Sequence, residues 1–111
     1  MWRWDEQLAA ISITVSVDGD RCELRIAGDV DVESADHVAA VGLLHLTDTD
    51  VHSLVIDLSG VTFIDSSGIG ALVRIRNIAL EFDKQLALRS PSERVSKILK
   101  ITALDQVFEI W

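Results

Sequence analysis

The sequence predicts an α/β fold: one mixed sheet with an N-terminal hairpin and about three to four packed helices. Three observations carry this. Two runs that alternate apolar and polar residues flank a tight turn near the N-terminus. A nearly continuous apolar run, Leu54-Val55-Ile56-Asp57-Leu58, stands mid-chain. Stretches of helical periodicity separate the later strands, which favours parallel pairing through right-handed crossovers.

Taken in order, Ile11-Ser12-Ile13-Thr14-Val15-Ser16-Val17 has the period of a half-buried strand. Asp18-Gly19-Asp20 is a strong turn signal and Arg21-Cys22-Glu23-Leu24-Arg25-Ile26 alternates again, so the two runs read as a β-hairpin. Gly28-Asp29-Val30-Asp31 ends it. Ser34 fits a helix N-cap. Behind it Ala35, Val38, Ala39, Val41 and Leu44 recur at helical spacing, giving a first helix over residues 35–46. Thr47-Asp48-Thr49-Asp50 is a polar loop. The run ending at Leu58 lacks alternation, as expected for a central strand covered on both faces.

Ser59 to Ile64 reads as a connection that packs down and buries Phe63 and Ile64. Asp65 fits the next N-cap, with Ile64 before it and Ile69 at the fourth helical position, the pattern of a hydrophobic staple. The second helix runs over residues 66–82. Asp83-Lys84 turns the chain into a strand, Gln85-Leu86-Ala87-Leu88. Ser90-Pro91-Ser92-Glu93 has the form of a helix start, with Ser90 as cap, Pro91 at the first position and Glu93 closing a capping box. Val95, Ile98 and Leu99 give the third helix its buried stripe. Residues 107–110 read as a last short strand.

A chain of 111 residues is the size of one domain, here taken as 1–111. Its 49% hydrophobic content supports a core without disulfides or metals and argues against disorder. The formal charge of -8, from 18 acidic and 10 basic residues, disfavours nucleic-acid backbones. It suits a basic protein partner and equally serves solubility. Cys22 is the one cysteine, so no intramolecular disulfide exists, and a small buried hydrophobe is its expected role. The segment Met1 to Glu6 has no signal-peptide layout. The longest apolar stretch, Val38 to Leu44, is far too short to span a bilayer. The expected location is the cytoplasm, without direct membrane insertion.

The segment with chemical content is Asp65-Ser66-Ser67-Gly68-Ile69-Gly70, at the start of the second helix. Unpaired backbone N–H groups and the helix dipole make such a start a seat for a negative group. Two glycines in the first turns weaken the helix, so either packing against the sheet or close approach by a partner must compensate. The segment lacks the lysine and spacing of a P-loop, and it is no G-x-S-x-G nucleophile elbow. His37, His45 and His52 all precede Ser66 and are expected at the surface, and no metal-ligand spacing occurs. Ser66 thus has no evident base and reads as acted upon rather than acting. No cofactor and no metal are expected, and the chain does not read as an enzyme.

Phe63-Ile64-Asp65-Ser66-Ser67-Gly68-Ile69-Gly70 resembles the signature of the STAS domain of bacterial anti-sigma factor antagonists. Gly28-Asp29-Val30-Asp31 with Ser34-Ala35 resembles that family's G-[DE]-[LV]-D turn and helix cap, and Ser90-Pro91 with Val95 and Leu99 its third landmark. The resemblance covers about residues 11–110. It implies that Ser66 is a phosphoacceptor for a partner anti-sigma factor serine kinase, with Ser67 as runner-up. It implies that the unmodified protein binds that kinase and frees a sigma factor, and that a PP2C-type phosphatase reverses the switch. By the same resemblance Asp65 positions the serine, Asp31 and Asp29 lie near it, and Ser67 and Gly68 shape the docking surface. A monomer or weak dimer is expected. A stressosome-like scaffold subunit and a STAS component of a membrane lipid or anion transport system are the alternatives. The chain departs from the family in lacking a glycine near Asp105, and Trp2, Trp4 and Trp111 are not family landmarks. The two N-terminal tryptophans are expected to pack at the sheet or to form a contact surface.

Overall fold

The computed structural model describes residues 2–8 and 11–111, with side chains from residue 11 onward. Six strands form one sheet: β1 Trp2–Leu8, β2 Ile11–Asp18, β3 Arg21–Val30, β4 Ser53–Ile64, β5 Gln85–Arg89 and β6 Glu109–Ile110. Three helices join them: α1 Ala35–Leu46, α2 Ser66–Glu81 and α3 Glu93–Ile101, followed by a 3₁₀ turn, Leu104–Gln106. Spatial order equals chain order. β1, β2 and β3 pair antiparallel, and β3 to β6 are parallel. The hairpin, the mixed sheet and three helices are as the sequence predicts. β1 is an additional strand outside the hairpin, and the environment of the Trp2 and Trp4 side chains lies outside the described residues.

Strands β3 to β6 are added one after another in the same direction. Right-handed crossovers then place every connecting helix on one side of the sheet. Accordingly Ile13, Leu24, Ile56 and Leu88, which share a face by register, join one core with Val38 and Leu46 of α1, Leu72 and Ile75 of α2, and Val95 and Leu99 of α3. Residues 54–58 are all buried, so the central strand is covered on both faces as expected, but helices cover only one of them. The opposite face carries charge. Arg89 donates to Glu23 at 2.8 Å, Arg25 lies 3.7 Å from Asp57, and Arg21 stacks under the Trp111 ring at 4.8 Å. Val55 and Ala87 are buried on this face in a small cavity that Arg21 and Trp111 also line, which explains the unbroken apolar run of β4.

Asp57 is buried among these groups. Burial pushes its carboxyl up, but the hydroxyl and amide of Ser59 donate to it, and Arg25 and Arg89 stand near, so it is held below the usual aspartate range. A depressed native pKa contributes stability that is complete above the ordinary aspartate pKa of about 3.9 and is lost as pH falls through the native value. Asp57→Asn is expected to flatten this acid limb in urea melts taken below about pH 4.

Three local expectations are corrected. Residues 59–64 continue β4 rather than forming a connection, and they pair with β3 past a bulge, Ala27 opposite Gly60 and Val30 opposite Ile64. Ile64 is buried as expected, but Phe63 is 41% exposed. The cap of α3 is Ser92, whose hydroxyl accepts from the Val95 amide at 3.3 Å, and not Ser90. Ser90 has φ 50° and donates its amide to the Trp111 carbonyl, so it serves the sheet edge instead. The last strand shrinks to Glu109–Ile110 because residues 104–106 form the 3₁₀ turn. Cys22 is buried, and burial, with Glu23 and Asp48 adding, pushes its thiol up to about 12, so it is an inert core residue.

Candidate phosphoacceptor site

The site lies at the carboxyl ends of β3 and β4, where parallel strands of an α/β sheet commonly present function. The two strand ends are tied together: Val30 is the register partner of Ile64, and the Asp65 amide donates to the Val30 carbonyl at 3.3 Å. Gly28 permits this ending. Its φ of 101° lies in a region side chains rarely adopt, at the second register shift of β3.

Three carboxylates are fixed here by short-range bonds. Asp29 Oδ1 accepts from the Thr62 hydroxyl at 2.8 Å, which joins the strand ends a second time. Asp31 Oδ1 accepts from the Glu33 amide at 3.0 Å. Asp65 Oδ1 accepts from the Gly68 amide at 3.0 Å. Asp65 is thus the N-cap of α2, as its sequence position predicts. Ile64 is buried and Ile69 packs against the same core, consistent with the staple. Ser34 stands at the N-cap position of α1, but no helix N–H donates to its side chain. Its hydroxyl accepts from the Asp31 amide at 3.1 Å and donates to the Asp29 carbonyl at 3.0 Å, so it braces the turn rather than the helix.

Ser66 is the first residue of α2 and is exposed, whereas Ser67 is half-buried. No described residue hydrogen-bonds the Ser66 hydroxyl. It directly follows the Asp65 cap, whose amide is bonded to the Val30 carbonyl between Asp29 and Asp31. The two glycines separate cleanly. A Cβ at Gly68 would lie 2.4 Å from the Val30 carbonyl oxygen and 2.6 Å from Ile64 Cγ1, so Gly68 is demanded by packing. A Cβ at Gly70 would meet nothing within 4 Å. The bond from the Asp65 amide to the Val30 carbonyl and the packing of Gly68 on Val30 thus place the segment of Asp29 and Asp31 and the segment of Asp65, Ser66, Ser67 and Gly68 at one end of the sheet. Thr62 was missed as a support for Asp29. The β-branched and aromatic content of Val61-Thr62-Phe63-Ile64, which suits a strand, is the signal that could have found it.

Among the histidines, His52 is exposed and His37 intermediate, but His45 is buried, contrary to expectation. Burial lowers its pKa, partly opposed by Asp48, so it sits neutral inside the fold. No group of three or more His, Cys, Asp or Glu side chains suited to a metal occurs among the described residues. No helix among them is long and apolar enough to cross a membrane.

The cap gives a first measurable consequence. Asp65→Ala removes one acceptor from the start of α2 and is expected to lower stability by about 1 kcal/mol, read as a drop of a few degrees in Tm.

Comparison with known proteins agrees with this architecture. The STAS domain family model matches residues 12–111. An anti-sigma-B factor antagonist of Staphylococcus epidermidis is 25% identical over 100 residues, covering 90% of this chain and 92% of the relative. A STAS-domain containing protein of Pseudomonas aeruginosa is 32% identical over 102 residues, covering 91% and 98%. Among solved structures, the anti-sigma factor antagonist SpoIIAA in its unphosphorylated form superposes with a TM-score of 0.76 at 18% identity, covering 89% of this chain and 87% of that one. The Bacillus cell fate determinant SpoIIAA in its phosphorylated form gives 0.70 at 17%, covering 89% and 90%. With the family matched over nearly the whole sequence and the same fold found in its solved relatives, this chain belongs to the STAS domain family.

Proposed function

We propose that the chain is an anti-sigma factor antagonist, a binding module and not an enzyme. It binds an anti-sigma factor that is also an ATP-dependent serine kinase, and so frees a sigma factor. Phosphorylation of Ser66 ends the interaction, and a PP2C-type phosphatase restores it. The protein works in the cytoplasm as a monomer or weak dimer. The observation that carries this reading is the exposed Ser66 at a helix start, next to the Asp65 cap and at the same end of the sheet as the anchored carboxylates of Asp29 and Asp31. The names of the staphylococcal relatives and the two states of SpoIIAA support it.

On this reading each residue has a task. Asp65 holds the first turn of α2 and so fixes where Ser66 points. Gly68 lets that turn lie flat against the ends of β3 and β4. Asp29 and Asp31 supply negative potential that attracts a basic partner before modification and repels the phosphate after it. Ser67, half-buried beside the acceptor, shapes the surface.

The test is a release assay. A preformed complex of sigma factor and anti-sigma kinase from the source genome is challenged with this chain. Sigma factor is expected to be freed without ATP. With ATP, release by the wild type should decay while release by Ser66→Ala persists. Absence of release, or identical decay in the variant, contradicts the reading.

A further inference from the structure

The open face of the sheet holds a cavity that the phospho-switch does not use. By register Val55 of β4 and Ala87 of β5 are neighbours on this face, with Glu23 beyond Val55 and Glu109 beyond Ala87. These two short apolar side chains leave a cavity of about 170 Å³ above them. Ser53 and Gln85, the first residues of β4 and β5, stand at one side of it. Arg21 and Trp111 wall it, the guanidinium 4.8 Å from the centre of the indole ring. Ser66 follows the other end of β4.

One group in the wall is unsatisfied. Arg21 Nε is buried and has no hydrogen-bond partner, which native structures rarely tolerate without a ligand or a water. The carboxylates nearby are engaged elsewhere. Glu23 Oε1 accepts from Arg89 at 2.8 Å and lies 3.5 Å from Arg21 Nη2, and Glu109 Oε1 accepts from the Trp111 indole N–H at 2.9 Å. What the wall lacks is an acceptor. Water serves poorly here, because it needs about two to four polar partners and Val55, Ala87 and the face of the indole supply none. Arg21 also borders a second cavity with Ser16, Asp18 and Glu23, but that one has polar walls, two carboxylates and no apolar floor.

We propose that the cavity between Arg21 and Trp111 is a binding site for a small aromatic carboxylate. The ring lies on Val55 and Ala87 beside the indole, and the carboxylate accepts from Arg21 Nε–H. Size, shape and charge each select this class. A cavity of about 150 Å³ accepts a benzene-sized molecule, so a single ring fits this one and a nucleotide does not. The indole offers the ring an offset or edge contact. A carboxylate on a guanidinium forms a charge-assisted bond, roughly twice as strong as a neutral one, whereas a cation would face Arg21. The site stands independently of the switch at Ser66.

The experiment titrates the full chain, isotope-labelled for NMR, with benzoate. It follows the Arg21 Nε–H and Trp111 indole resonances, assigned by their loss in Arg21→Met and Trp111→Phe. Saturable shifts of both are expected, together with the amides of Val55 and Ala87. Acetate, which lacks the ring, and benzylamine, which inverts the charge, should each bind at least about tenfold more weakly. Arg21→Met should raise Kd for benzoate about tenfold. Arg25→Met, on the same face but outside the cavity, should leave it unchanged. Ala87→Leu fills the floor and should abolish the shifts, with Tm reporting that the variant folds. If it does not fold, the comparison of Arg21→Met with Arg25→Met decides. Shifts that never saturate, equal affinity for acetate or benzylamine, or a wild-type Kd in Arg21→Met overturn the site. Shifts of Arg21 and Ser16 that leave Trp111 and Ala87 unmoved place the ligand in the second cavity and overturn it equally.

Discussion

Ser66→Asp is expected to weaken binding to the anti-sigma kinase about 100-fold while changing Tm by no more than a degree or two. The asymmetry comes from where the charge is placed. A phosphate adds about -1.5 to -2 charges at neutral pH, and an aspartate adds one. In the free domain that charge sits in water at the start of α2, where the helix dipole favours it by about 0.3–1 kcal/mol, offsetting repulsion from Asp65. In the complex the same charge is enclosed beside Asp29, Asp31 and Asp65 and loses its solvent. Like-charge juxtaposition at an interface costs several kcal/mol, and a hundredfold loss of affinity corresponds to about 2.7 kcal/mol. Part of the loss should be recovered at high salt, since the Debye length falls from about 8 Å at physiological ionic strength to about 3 Å at 1 M. Ser66→Ala should bind as wild type and ignore ATP. Calorimetric titrations at two salt concentrations check all three statements. A Ser66→Asp protein of undiminished affinity would remove the electrostatic basis of the switch.

Gly68→Ala is expected to be the most destabilising single methyl addition near the site, at about 3 kcal/mol, seen as a lower urea midpoint at unchanged m-value. The added Cβ would stand 2.4 Å from the Val30 carbonyl oxygen and 2.6 Å from Ile64 Cγ1. Neither neighbour yields easily. The Val30 carbonyl is held by the Asp65 amide, and Ile64 is buried in the core. Relief requires the first turn of α2 to lift off the strand ends, which moves Ser66. Phosphorylation of whatever remains folded should therefore slow as well. The contrast with Gly70→Ala is the sharpest feature of this helix start. The same methyl group, added two residues apart, should destabilise at one position and stabilise at the other.

What the sequence reveals is what local chemistry decides. The boundaries of α1 and α2, the hairpin and the Asp65 cap follow from periodicity, turn residues and one side-chain acceptor, all within a few positions of each other. The candidate site is legible for the same reason: Asp65, Ser66 and Gly68 act through their own helix turn, and Asp29 and Asp31 through the adjoining turn. The rest depends on distant partners. β1 is a strand because β2 offers it an edge seven residue pairs long. Ser90 loses its cap role to Ser92 because its amide is engaged by Trp111, 21 positions further on. Val55 and Ala87 are buried beside Arg21 and Trp111 and not by helices, so the apolar run of β4 signals a two-sided cover without revealing that helices make only one side of it. Phe63 follows from the second register shift, between Gly28 and Asp29, where the extra residue Thr62 resets the alternation of β4 and turns Phe63 outward.

The decisive measurement is peptide mapping by mass spectrometry of the intact chain after incubation with the anti-sigma serine kinases of its source genome and ATP. A single phosphate on the residue 66 hydroxyl, absent from Ser66→Ala and removed by a PP2C-type phosphatase, is the expected outcome. A phosphate on Ser67 or elsewhere that leaves Ser66 untouched, or no phosphate with any of these kinases, contradicts it.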